Sequence, residues 1–237
     1  MLKLNLASMP VVMGIALSFP LAFPMTAHAT TYELPFLGNT IGTKQDLIYD
    51  GKESLAQIAH RYDLGMMEFK RANPNLKKKG YLKAGAVIHL PTEYQLPSIR
   101  QGVVVDLSQL RAFYFSKDSK TVSTYPIGIG KSGWDTPIGT TKIMSKQKDP
   151  AWHPTKHILE EAENNGHDLP KVVPAGPHNP LGAYAIHLGF SGILMHGTNA
   201  PATVGLSGSH GCMRMYAEDI KELFYNAIIG MPVHIMK

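Results

Sequence analysis

Cysteine is almost absent from this chain of 237 residues: Cys212 stands alone. A single thiol excludes an intramolecular disulfide framework and a multi-cysteine zinc site. Long hydrophobic runs are also missing, and no stretch reaches the eighteen or so uncharged apolar residues of a membrane span. Charge is sparse, at 17% Asp, Glu, Lys and Arg against 44% hydrophobic residues. That balance excludes disorder of the whole chain and supplies one sizeable core, or a core with a small satellite.

The first 29 residues have the makings of a secretory leader. Lys3 gives a positive start, Met9 to Phe23 is mostly apolar, and Ala27-His28-Ala29 is a small-x-small cleavage site. The run is short and carries Pro10 and Pro20, which argues against a retained anchor and against a stable membrane span after cleavage. The expected compartment is the periplasm or cell envelope. Removal of the leader takes away one lysine and no acid, so the net charge falls from +5 to about +4. Residues 44–83 hold nine Lys or Arg against five Asp or Glu, including the run Lys77-Lys78-Lys79. An exported protein rarely meets nucleic acid, so this excess points to an anionic envelope polymer or to a solvated loop.

The Pro91 to Pro97 stretch reads as a stiff, extended connector between two modules. Before it, Leu55, Ile58, Ala59 and Tyr62 have the spacing of an amphipathic helix, with Ser54 as its N-cap. A second helix is expected over Met66 to Ala72, stopped by Asn73-Pro74. Leu82 to Pro91 follows as a turn and a short strand. After the connector, Gly102 to Leu107, Arg111 to Phe115, Thr121 to Ile129, a strand through Met144 fed by the turn Thr136-Pro137-Ile138-Gly139, Tyr184 to Leu188, Ile193 to Met195 and Val233 to Met236 read as strands. Ala217 to Ile228 is the one convincing helix of this part, ended by Gly230. The predicted class is mainly β: a β-sandwich with one C-terminal helix and an irregular insert from Asp149 to Leu181, plus a small α+β (βααβ) module.

Chemistry concentrates late in the chain, in Met195-His196-Gly197-Thr198 and Ser209-His210-Gly211-Cys212-Met213-Arg214. An ordinary thiol is only a few per cent ionised at neutral pH, so a working nucleophile needs a base or positive neighbours. His210 shares a face with Cys212 if the backbone is extended. His196 reaches it if the strand over 193–196 pairs alongside. The Gly211 and Cys212 amides are candidate oxyanion donors, and Arg214 could hold a carboxylate. Spacing does not decide between the two histidines as base, nor does it exclude a metal bound by His196, His210 and Cys212. His153, His157, His167, His178 and His187 lack ligand spacing and are assigned no role.

Two resemblances sharpen this reading. Tyr49-Asp50-Gly51, Ser54-Leu55, Ile58-Ala59, Tyr62, Asn73-Pro74, Leu82, Gly85 and Ile88-His89-Leu90-Pro91 resemble a LysM module, a small peptidoglycan-binding domain, over residues 45–92. Its opening departs from the family pattern at Gly51-Lys52-Glu53-Ser54. The His196-Gly197-Thr198 and Ser209 to Arg214 stretches closely resemble the signature of the L,D-transpeptidase (YkuD-like) family over residues 99–237. Thr136-Pro137-Ile138-Gly139 and Gly176-Pro177-His178-Asn179-Pro180-Leu181-Gly182 match further motifs of that family.

The resemblance implies Cys212 as nucleophile, His196 as general base and the Gly197 carbonyl as the group orienting that imidazole. His210, Ser209 and Gly211 become supporting residues, and Arg214 a substrate-side or bracing one. It implies acyl transfer from a peptidoglycan stem tetrapeptide to an amine, giving a 3-3 cross-link, an anchored envelope lipoprotein or an exchanged D-amino acid, with no metal or organic cofactor. Water as acceptor would make an L,D-carboxypeptidase. From a different class, a non-catalytic wall-binding protein is the competing reading. The 149–181 insert, with Trp152, Glu160, Glu161 and Glu163, is either a lid or a surface excursion.

Overall fold

Alternation explains the centre of the molecule. In the computed structural model, which describes residues 30–75 and 83–237, Val103 and Val105 bury into one core and Val104 into another. Both faces of this strand are therefore covered, which accounts for its unbroken valines. The leader, the Lys77 to Lys79 run and Leu82 lie outside the described residues.

The elements run in the order β1 (Thr30–Glu33), β2 (Thr40–Gly42), β3 (Gln45–Ile48), α1 (Leu55–Arg61), α2 (Met66–Ala72), β4 (Val87–Leu90) and β5 (Glu93–Gln95). They continue with β6 (Val103–Asp106), β7 (Arg111–Phe115), β8 (Thr121–Pro126), β9 (Ile129–Gly130), β10 (Gly139–Lys148) and α3 (Lys156–Asn164). The chain ends with β11 (Tyr184–Leu188), β12 (Leu194–His196), β13 (Ser207–Ser209), β14 (Met213–Arg214), α4 (Ala217–Asn226) and β15 (Pro232–Met236).

The small module is β3-α1-α2-β4, with its two strands antiparallel. Ser54 caps α1 reciprocally with Gln57: the Ser54 hydroxyl accepts from the Gln57 amide, and Gln57 Oε1 accepts from the Ser54 amide. Asn73 ends α2 and ties it to β4, donating to the Phe69 and His89 carbonyls while accepting the His89 amide.

The large domain is mainly β, as expected. Nine strands form one curled sheet in the order β1-β8-β7-β6-β15-β10-β11-β12-β14. Two parallel pairs, β6 with β15 and β12 with β14, join strands distant in sequence into a single ladder. The curled sheet and α4 enclose the main core, built around Tyr125, Ile143, Ile186, Met195, Met213, Ile220 and Leu223.

Two expectations change. The Pro91 to Pro97 stretch is extended but is not a free connector. Its β5 pairs with β2, and Tyr94 and Leu96 bury against Val104, Phe113 and Phe115. The 149–181 insert contains a regular helix, α3, capped by Thr155. Prolines at 150, 154, 170 and 174 frame it so closely that its periodicity is easily missed.

The two modules are locked by a buried cluster. Arg111, with its side chain fully buried, donates to both carboxylate oxygens of Glu68, to the Asp63 carbonyl at 2.5 Å and to Thr124 Oγ1 at 3.0 Å. Its guanidinium also lies over the Tyr94 ring, 3.9 Å from the centroid. The Asp63 carboxyl hydrogen-bonds Asp219 of α4, and burial pushes its pKa up to about 8. Beside this cluster the backbones touch: a Cβ on Gly205 would lie 2.4 Å from Gly65 Cα, and Gly205 has φ +77°. Only glycine meets both conditions.

Candidate active site

The site lies where the last two strands of the sheet meet. His196 ends β12 and Cys212 directly precedes β14. The strands run parallel, with Met195 opposite Met213 and His196 opposite Arg214. This pairing lays the strand that ends in His196 beside the strand that follows Cys212.

His196 is buried, at 4% exposure, and its Nδ1 donates to the Gly197 carbonyl at 2.6 Å. A carbonyl only accepts, so this bond fixes the proton on Nδ1 and leaves Nε2 with a free lone pair. Burial lowers the imidazole pKa to about 4; the Gly197 hydrogen bond opposes that shift and the nearby Arg214 charge adds to it. The ring is therefore neutral and able to accept a proton throughout the neutral range.

Cys212 is half-buried. Burial raises its thiol pKa above the ordinary 9.0, while a hydrogen bond from the Leu194 amide and the Arg214 charge pull it back in part. The S–H donates to the Gly192 carbonyl at 3.4 Å. The two shifts together favour a resting pair of neutral thiol and neutral imidazole over thiolate and imidazolium.

The loop carrying the sulfur is pinned from below. Ser209 Oγ donates to the Cys212 carbonyl at 2.6 Å and accepts the Gly211 amide at 3.2 Å. Thr136 Oγ1 donates to the Gly211 carbonyl at 2.9 Å and accepts the Gly130 amide at 3.0 Å. Gly211 has φ +102°, and a Cβ there would sit 3.1 Å from Ile193 Cδ1. The Gly211 amide, expected as an oxyanion donor, is thus turned to Ser209 instead. Thr136 closes the network from the distant Thr136 to Gly139 motif.

His210 turns away towards the insert: its Nε2 pairs with Glu161 Oε2 at 3.0 Å, and Trp134 meets its ring edge-on at 4.7 Å. Arg214 has no carboxylate within ion-pair distance among the described residues. Nor does any group of three or more His, Cys, Asp or Glu come together there in a way that could hold a metal ion. Sequence reasoning missed Lys131 and Trp134, which carry no motif of their own. It noted Glu161 only as one acid of the insert.

A curled sheet with one thiol and a buried imidazole on neighbouring strands, joined to a βααβ module, defines a single-cysteine β domain with an N-terminal accessory module. The pattern of the L,D-transpeptidase catalytic domain (YkuD) matches residues 100–235, and that of the LysM domain matches residues 52–91. Over 220 residues the chain is 40% identical to "Probable L,D-transpeptidase YbiS" of Escherichia coli K12, covering 90% of this chain and 71% of that protein. It is 37% identical over 230 residues to "Probable L,D-transpeptidase ErfK/SrfK" of the same organism, covering 94% and 73%. The NMR structure of the catalytic domain from E. faecium L,D-transpeptidase aligns with a TM-score of 0.45 at 23% identity, covering 59% of this chain and all of that one. The chain belongs to the L,D-transpeptidase family and carries a LysM domain ahead of its catalytic domain.

Proposed function

We propose that this protein is an exported L,D-transpeptidase that acts on peptidoglycan stem peptides through a Cys212 thioester. One observation carries the reading: Nδ1 of His196 is committed to the Gly197 carbonyl, which leaves Nε2 as the acceptor for a proton from the strand that bears Cys212.

In the proposed reaction the Cys212 proton passes to His196 Nε2 as sulfur attacks the carbonyl carbon of the third stem residue. The tetrahedral oxyanion meets the Cys212 amide, since the Gly211 amide is occupied by Ser209. The C–N bond to the terminal D-residue breaks, and the imidazolium returns its proton to the departing amine. An acceptor amine then gives a proton to His196 and attacks the thioester, forming the new amide and restoring the thiol.

The energetics favour proton transfer concerted with attack. Burial disfavours both the free thiolate and the free imidazolium, so a separate ion pair formed before attack is the costlier route.

The same reading makes the LysM domain a tether to the wall glycan and places the protein in the cell envelope, released from its leader after Ala29. No helix among the described residues is long and apolar enough to cross a membrane.

The test is incubation of the full chain and of Cys212→Ala with tetrapeptide muropeptides, followed by mass spectrometry. Cross-linked dimers, or transfer to an added amine, from the unaltered protein alone support the proposal. Loss of only the terminal residue makes water the acceptor and the activity a carboxypeptidase. Equal products from Cys212→Ala, or none from either protein, refute it.

A further inference from the structure

The insert is fastened unevenly. Its base is riveted: Asn179, 1% exposed, donates to the Pro150, Val173 and Pro174 carbonyls, and Trp152 pairs backbone to backbone with Val173. Beyond that base, α3 buries none of its side chains. What holds it over the site is mostly one carboxylate. Glu161 pairs with Lys131 and with His210, while His157 meets the Trp134 ring edge-on at 6.2 Å. An element with no buried apolar anchor and few polar contacts is the first to open locally.

The place where that carboxylate sits matters. Lys131 donates its amide to the Ser209 carbonyl at 2.9 Å, three residues before the sulfur. The Trp134 carbonyl would lie 3.7 Å from a Cβ on Gly211, so the 131–135 loop abuts the residue next to Cys212. An ammonium and an imidazole nitrogen therefore meet on one carboxylate beside this loop, with the Trp134 ring packed against that imidazole. All three residues are half-buried, so solvent screens the pair only in part.

We infer that Lys131 and His210, the latter backed by the Trp134 ring, form a carboxylate subsite for the donor stem, occupied in this closed form by Glu161 of α3 and claimed on binding by the free terminal carboxylate of the peptide. Glu161 is then an internal competitor, and its displacement swings α3 off the site. This rests on the L,D-transpeptidase reading, which supplies a donor ending in a D-residue with a free carboxylate. It adds the residues that recognise that group and the device that guards them.

The experiment compares kcat/KM for a synthetic stem tetrapeptide with a free terminal carboxylate and for its terminal carboxamide. The difference between the two leaving groups is common to all variants and cancels in the ratio. Lys131→Ala should lower the carboxylate-to-carboxamide ratio about fivefold, and Lys131→Arg should retain it. Glu161→Gln should lower KM for the carboxylate peptide about fivefold, and should also lower it for the carboxamide, since either donor needs α3 displaced. Equal losses on both peptides in Lys131→Ala, or an unchanged KM in Glu161→Gln, would overturn the subsite.

A second readout needs no turnover. The carboxylate peptide should slow iodoacetamide alkylation of Cys212 more than the carboxamide does, and Lys131→Ala should abolish that difference. If the unaltered protein turns over neither peptide, the transpeptidase reading fails, and the alkylation assay still decides the subsite.

Discussion

Glu68→Gln probes the joint between the modules with little change of shape. Arg111 is fully buried, and Glu68 is 17% exposed at its side chain. Asp63, the other acid at the guanidinium, has its pKa pushed up to about 8 and is mostly neutral at pH 6. Glu68 is thus the working counter-charge there, and glutamine keeps the acceptor oxygen but removes the charge. Breaking a wholly buried pair costs about 3–5 kcal/mol, and the partial exposure of Glu68 brings this to about 2–3 kcal/mol.

Asp63 limits the loss by ionising in its place. Its raised pKa makes ionisation easier as pH rises, and loss of the Glu68 charge eases it further, so the penalty should be larger at pH 6 than at pH 9. Urea unfolding of both proteins at the two pH values reads this directly, as a midpoint shift at constant slope. A loss below 0.5 kcal/mol at pH 6, or a larger loss at pH 9 than at pH 6, would refute the assignment of Glu68 as the counter-charge.

Other outcomes follow from the site and the joint. Because burial holds His196 near 4, the acid limb of kcat/KM should fall through about pH 4; a limb at 6–7 would show that the imidazole is not depressed. Because burial raises the thiol, alkylation of Cys212 should climb only at pH values above those at which a free cysteine reacts, and a fast plateau at neutral pH would reveal a preformed thiolate. Gly205→Ala adds a Cβ against Gly65 at positive φ and should cost about 2 kcal/mol, or roughly 4–8 °C in Tm by calorimetry. An unchanged Tm would mean that the two backbones separate freely.

Local signals were legible. The α2 span, β7 and β11 follow directly from periodicity, β-branching and breakers, because each element is decided by its own residues. Global closure was not. The parallel pairings of β6 with β15 and of β12 with β14 depend on where distant strands meet, and short β-rich runs read equally well as two sheets or one. The division at Pro91 to Pro97 concealed the Arg111 cluster, since a split into modules assumes few contacts across it.

At the site, glycine-flanked His196 and Cys212 stood out chemically. The choice of tautomer needed the Gly197 hydrogen bond, and the turning of His210 needed Glu161, which is 49 residues earlier in the chain. Nothing in the local composition of Lys131 or Glu161 distinguishes them from solvated surface charges.

Intact-protein mass spectrometry after an acid quench, with a stem tetrapeptide mixed in for seconds, bears most directly on the nucleophile. A covalent adduct equal to the peptide less its terminal residue, mapped to residue 212 and released by hydroxylamine, is the predicted result. No adduct while turnover proceeds, or one on any other side chain, would contradict the thioester account.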